Sequence, residues 1–319
     1  MLFRSGAPAD ISAVEKAATA INPQYHPVAQ SVGVSAQNTV ASLVSGRVMG
    51  TGFGRNGGDA NVDLGGVWAQ GLYNKSKLND VFNGYTRGVA AGFDGTINNV
   101  WTLGVGYMYS HSDISSTSRN TEVDSSTMFL YGQYRPNAWY ANAILNYTMS
   151  DYTAKGNALG VHVSADYDVD IFGARVATGY EFIGGITPEI AMQYMHINAS
   201  DYTNSLGVWN HFGNSDYLTA SLGTRYEFDV LMNNGIVVRP QMHYALKYDF
   251  VSDDRNITVT MPGVNAYVLD DERLSRIANE VGIGVAMNYG GFELSLNYDI
   301  EVRTDYTSQT GRAKFRYEF

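Results

Sequence analysis

Gly311-Arg-Ala-Lys-Phe-Arg-Tyr-Glu-Phe319 closes the chain, and its side chains divide between the two faces of a strand. Ala313, Phe315, Tyr317 and Phe319 fall on one face, and Arg312, Lys314, Arg316 and Glu318 on the other. Successive strand residues point to opposite sides, so this segment forms a wall that is apolar on one side and charged on the other. A closed barrel in a bilayer satisfies such a pattern without a second layer of structure.

The alternation recurs upstream. Trp101, Leu103, Val105, Tyr107 and Tyr109 oppose Thr102, Gly104, Gly106, Met108 and Ser110. Phe172, Val176, Tyr180 and Phe182 oppose Arg175 and Glu181, and Tyr226 opposes Arg225 and Glu227. Val238, Met242, Tyr244 and Leu246 oppose Arg239 and Lys247, while Leu294, Leu296, Tyr298 and Ile300 oppose Glu293, Asp299, Glu301 and Arg303. Burying these charges in a dry core would cost several kcal/mol for each unpaired ion, which disfavours a soluble sandwich and implies a wet lumen. Met128 to Arg135 is ambiguous, because Phe129 and Tyr131 lie opposite Met128, Leu130 and Tyr134.

Composition supports membrane passage by strands. The 319 residues are 13% aromatic and 16% charged, with 34 Gly, 23 Tyr and no Cys. No apolar run approaches the roughly 18 residues of a membrane helix. A net charge of -10 without clustered Lys and Arg argues against a nucleic-acid partner. The absence of Cys removes disulfides and thiolate metal sites and suits passage through an oxidising compartment.

Turn signals at Asn98-Asn99, Pro136-Asn137, Gly184-Gly185, Asn233-Asn234-Gly235 and Gly290-Gly291 alternate with polar connections. The latter are expected as loops at 75–83, 112–122, 151–166, 200–216 and 251–272, with a short one at 305–309. Counting between them gives about twelve antiparallel transmembrane strands. Trp68, Tyr73, Tyr107, Tyr109, Trp139, Tyr147, Tyr180, Phe182, Tyr226 and Phe228 are expected in the interfacial girdles.

The first 58 residues form a separate region ahead of a barrel domain over 59–319. Ser12 and Glu15 form a capping box for a short helix. A second helix is expected over about 35–49, with Ser35, Asn38, Thr39, Ser42 and Arg47 as lumenal residues. It would be about 20 Å long, small and polar, with no wide apolar stripe. Gly50 to Gly58 would lead from it to the first strand. The start of the chain lacks the features of a signal peptide, so an upstream export signal is expected.

A lumenal helix, a Gly-rich linker, Asp63-Leu-Gly-Gly-Val-Trp68 opening about twelve strands and a terminal Tyr317-Glu-Phe319 together resemble the translocator domain of monomeric autotransporters of type V secretion. The resemblance implies an outer-membrane barrel of a Gram-negative bacterium, monomeric and without cofactor. It also implies a passenger in cis upstream of Met1, exported to the cell surface. The helix would remain in the pore with its N-terminus outside. Phe315, Tyr317 and Phe319 resemble the signal read by the barrel-assembly machinery, and periplasmic chaperones would deliver the chain. Residues 256–260 and 266–269 would form the hairpin of the fifth outer loop that assists passage.

Two alternatives differ in class. In a porin-like diffusion channel the inward Arg, Lys, Asp and Glu would set ion selectivity; in an export duct they would pair with one another. An outer-membrane protease or phospholipase would need a site that Asp253-Asp254, Asp270-Asp271-Glu272, His111 and His211 do not specify. Some autotransporters cleave themselves at an Asn-Asn pair, whereas Asn38 precedes Thr39, so no enzymatic activity is expected. Asp166-Tyr-Asp168-Val-Asp170 opens like a calcium loop, but Ile171 and Ala177 occupy the positions that need Gly and Glu, and no metal is expected.

Overall fold

In the computed structural model, residues 28–29, 31–36, 38–41, 63–117, 119–158, 160–232, 235–252, 256–260, 265–270 and 274–319 are described. Ser42, Arg47, the segment around Ser12 and Glu15, the linker 50–58, and the acidic pairs 253–254 and 271–272 lie outside them.

Seven long strands come first: β1 (Asp63–Leu78), β2 (Phe82–Ile97), β3 (Trp101–Ser116), β4 (Arg119–Tyr134), β5 (Trp139–Ala158), β6 (Val161–Tyr180) and β7 (Ile186–Ala199). Short β8 (Tyr202–Thr203) and β9 (Trp209–Phe212) precede β10 (Ser215–Glu227), and β11 (Val230–Leu231) precedes β12 (Val237–Ser252). Then β13 (Asn256–Thr260) and β14 (Tyr267–Asp270) lead to β15 (Ile277–Tyr289), β16 (Phe292–Val302) and β17 (Tyr306–Glu318). The twelve long strands form one closed antiparallel barrel, in which β17 returns to pair with β1 from Gly66↔Glu318 to Leu78↔Tyr306. Closure leaves no open edge in the bilayer.

The turns follow their chemistry. Asn98 and Asn99 both take positive φ, 53° and 55°, the combination a two-residue hairpin turn needs and one that Asn tolerates. At the opposite end the polar stretches 75–83, 112–122 and 151–166 are not irregular loops. Pairing runs on to Leu78↔Phe82, Ser115↔Asn120 and Ala158↔Val161. Their polarity records water around the hairpins above the bilayer, not a loss of strand. β5 and β6, with 20 residues each, are about twice the 9–11 residues a membrane strand requires.

The hairpin expected within 251–272 is present as β13 and β14, paired from Asn256↔Asp270 to Val259↔Tyr267. It extends further than the sequence suggests, because β13 also pairs with β9. The order β14-β13-β9-β8 makes a four-stranded cap at the barrel mouth. Phe212, Ile257 and Val259 bury their side chains beneath it. Tyr152, Tyr167 and Tyr202 stack there with ring centroids 5.1 and 4.8 Å apart. Burial pushes the hydroxyl pKa values of Tyr152 and Tyr202 up, so both remain neutral at physiological pH.

A helix, α1, occupies the lumen, with residues 28–29, 31–36 and 38–41 described. It begins earlier than residue 35, and it does carry an apolar stripe. Val28, Val32, Ala36 and Val40 recur every four residues and are all buried. Val28 and Val32 share a cluster with Leu78, Phe82, Ile114, Ile171 and Ile257 near the cap. Ala36 and Val40 sit deeper, against Trp68, Leu72, Met108, Phe129 and Ile144. Approach is close: a Cβ on Gly33 would lie 2.6 Å from the Met195 sulfur. Each buried Val contributes about 1.5–3 kcal/mol, because the alternative in this lumen is water rather than lipid.

Trp68 is the aromatic that departs from its expected place. It lies on the inward parity of β1, is 4% exposed, and donates its indole N–H to the Tyr131 hydroxyl at 3.0 Å. Phe129 and Tyr131 also point inward, which resolves the ambiguous strand, while Met128 and Leu130 face out. The other expected girdle residues, Tyr73, Tyr107, Tyr109, Trp139, Tyr147, Tyr180, Phe182, Tyr226 and Phe228, are exposed on the outer surface.

Val40→Asp would place an unpaired carboxylate against Trp68 and Phe129 and cost several kcal/mol. It should release α1 from the wall without opening the barrel. Limited proteolysis of the folded variant should then remove the N-terminal segment at least about tenfold faster, while the heat-modifiable barrel band persists.

Candidate functional site in the barrel lumen

The lumen has two unlike walls. At the level of Ala36 and Val40, β1 to β5 present the apolar and aromatic seat of α1, together with small hydroxyls such as Thr127 and Thr148, 2.8 Å apart. The opposite wall, from β6 through β17, is charged. Between that wall and the Val34, Asn38 and Ala41 side of α1 lies a partly open cavity of about 150 Å³. Thr39 is fully buried and closes its hydroxyl onto the Ser35 carbonyl at 2.9 Å.

The residues expected to bring charge to the lumen lie as follows. Arg239, Glu227, Glu293, Asp299, Glu301 and Arg303 are buried, and Arg175, Glu181, Arg225 and Lys247 are inward and half-buried. The partners are partly those expected. Lys314 meets Glu293 at 2.8 Å, Arg312 meets Asp299, and Glu301 accepts from Lys247 at 2.9 Å and Arg303 at 3.0 Å.

Other pairs use acids that the sequence reading passed over. Arg175 pairs with Glu189 at 2.9 Å, Lys247 with Glu280 at 2.7 Å and Arg303 with Asp249 at 2.6 Å. Arg239 donates to Asp229 at 3.0 Å, and Glu181, itself expected in the lumen, pairs with Arg135, which the alternation does not single out. Asp94, Glu189, Asp249 and Glu280 all fall on the inward parity of their strands, so extending the alternation along β2, β7, β12 and β15 would have found them. Interleaved pairs of opposite sign leave a hydrophilic wall with little net field, which suits passage of varied polypeptide better than selection of one ion.

One deeply buried pair joins the two walls near the terminal strand. Both guanidinium NH groups of Arg316 donate to Asp94, at 2.9 and 2.8 Å, and the Tyr131 hydroxyl donates to the same carboxylate at 2.6 Å. Asp94 and Arg316 are each 4% exposed. The charged side of the final strand is thereby tied to β2 and, through Tyr131, to Trp68 beneath α1. Phe315 and Phe319 remain exposed on the other side, and Tyr317 packs on Phe292 with centroids 4.8 Å apart. Asp94→Asn would leave buried Arg316 with only the half-exposed Glu318, 3.0 Å from its Nε, as counter-charge, a loss of up to about 3 kcal/mol. The expected outcome is a clear fall in the temperature at which the folded band converts to the unfolded one, partly restored when Arg316→Gln is added.

Comparison with known proteins agrees with this geometry. The autotransporter beta-domain family matches over residues 67–299. Outer membrane protein A of Rickettsia rickettsii is 24% identical over 294 residues, 82% of this chain, and the chain spans 13% of that relative's length. The translocator domain of the autotransporter NalP from Neisseria meningitidis superposes with a TM-score of 0.66 at 14% identity, over 89% of this chain and 98% of that one. The beta domain of the Bordetella autotransporter BrkA gives 0.63 at 18% identity, over 81% of this chain and 100% of that one. The barrel is an outer-membrane protein of a Gram-negative bacterium, and with the family matched over most of its strands the chain belongs to the autotransporter beta-domain family.

Proposed function

We propose that this barrel exports a passenger joined upstream of α1 and then anchors it at the cell surface, with α1 left in the pore. The observation that carries this reading is the direction and seat of α1. Its N-terminal turn lies under the cap, among Leu78, Phe82 and Ile257, and its last described turn lies near Trp68, toward the end where the chain enters β1. A segment attached before α1 therefore emerges through the outer mouth. The wet, charge-balanced half of the lumen provides a surface along which an unfolded chain can move without adhering to one strong site.

Phe315, Tyr317 and Phe319 form the outward aromatic ridge that barrel-assembly machinery would engage, after periplasmic chaperones have kept the chain unfolded. The barrel acts as a monomer and requires no cofactor. It acts without catalysis: Asn38 borders the wet cavity but is followed by Thr39, whose hydroxyl is spent on Ser35. Asn38→Ala should therefore leave passenger processing unchanged.

A reporter domain fused ahead of Met1, with an added export signal, should become protease-accessible in intact cells, and loss of residues 59–319 should abolish that exposure. In planar bilayers the full chain should conduct weakly, and a version lacking residues 1–58 should conduct several-fold more. Equal, high conductance from both would replace export by a diffusion channel.

A further inference from the structure

On the lipid-facing side, beside the seam between β17 and β1, the apolar belt is interrupted by a groove. Its floor is made of small residues, Ala69, Gly71, Ala91 and Ala313, which the register places side by side across β17, β1 and β2. Tyr107 and Tyr109 form one wall, and Leu294 and Phe315 the other. Tyr109 lies eight residues along β3 from Trp101, about 20 Å of height in a tilted strand, within an apolar band about 25 Å tall. The groove therefore occupies the outer-leaflet half of the bilayer.

Directly above it, over β1 and β2, the outer surface carries cations, with the acids Asp113 and Asp124 to one side on β3 and β4. Along the strands the next outward row is His111↔Arg87↔Tyr73, and the row beyond is Asp113↔Tyr85↔Lys75. One such step is about 7 Å. Arg87 is 71% exposed in its side chain and 3.9 Å from Asp113 at its nearest carboxylate, too long and too exposed to consume its charge. Lys75 lies over the Tyr85 ring, 5.6 Å from its centroid. Lys77, one step higher on the same face of β1, adds a third cation. An acyl-width apolar groove capped by cations at interface height is complementary to an acyl chain that carries a phosphate at its head.

We propose that this face binds a phosphorylated, multiply acylated glycolipid of the outer leaflet, with one acyl chain in the groove and a phosphate held by Lys75 and Arg87. The site rests on the outer-membrane setting and not on passenger export, so it stands or falls separately from the export reading. Bound lipid would cover the β17–β1 seam, where the first and last strands of the chain meet.

The test is native mass spectrometry of the full folded chain in detergent, titrated with diphosphoryl lipid A. One retained lipid per barrel is expected, with dephosphorylated lipid A and phosphatidylglycerol each held about tenfold more weakly. Lys75→Gln combined with Arg87→Gln should cost about tenfold in affinity through the lost charge-assisted contacts. Gly71→Leu should cost a similar factor by filling the groove, and since a Cβ there meets no atom within 4 Å the barrel accommodates it. Leu246→Ala, on another part of the belt, should leave binding unchanged, and heat-modifiable migration checks that each variant is folded. Equal retention of all three lipids, or equal binding by wild type and both groove variants, would reduce the groove to ordinary solvation by lipid and overturn the proposal. Full displacement by inorganic phosphate would overturn the acyl-chain part.

Discussion

A strand in a bilayer has no water to satisfy its backbone, so every N–H and C=O within the membrane must find a partner on the neighbouring strand. That requirement forces closure, and the pairing of β17 with β1 is where closure is completed. Once the wall is closed, parity assigns each side chain to lipid or to lumen, and the two solvents impose different rules. Lipid gives no hydrophobic reward for burying a Leu, so the outer face is a plain belt of Leu, Val, Met and aromatics. The lumen is aqueous, so there the hydrophobic effect operates as it does in a soluble protein.

The two-walled lumen follows from this. Trp68, Leu72, Met108, Phe129 and Ile144 would be costly apolar surface in an empty aqueous pore, and α1 covers them with Ala36 and Val40. The charged wall needs less cover, because most of its ions have a partner of opposite sign. Asp94 connects the two, accepting from Arg316 and from Tyr131. At the level of Ala36 and Val40 the helix leans on one wall, whereas at the level of Val28 and Val32 it is enclosed on both sides, with Ser31 bonded to Tyr306 of β17 and Gly33 against Met195 of β7.

Much of this was legible in the sequence because a period of two is a strong local signal when one face must meet lipid. The strands, the tight turns and the inward position of residues such as Arg175, Lys247, Glu293 and Arg303 follow from it directly. The seat of α1 was not legible, since starting the helix at Ser35 removes Val28 and Val32 and with them half of the stripe. Trp68 was assigned to the girdle on residue type, although its parity with Gln70 and Leu72 points inward. The pairing of β9 with β13 joins two connections that are distant in sequence, and no local pattern announces it. The polar hairpins read as loops from composition alone, whereas above a membrane polar residues such as Thr121 and Thr153 still build strand.

The uneven grip on α1, enclosed near the mouth and one-sided below, also has a mechanical consequence. A plug gripped around its whole circumference must yield everywhere at once, and its release demands a single large force. A rod gripped on both sides only near the mouth, at Val28 and Val32, and along one stripe below, at Ala36 and Val40, can give way level by level. The work of extraction is divided into small steps, each comparable to the burial of one side chain. Tension on the outer end loads the Val28 contacts first, so those residues act as a graded brake between the cell surface and the pore.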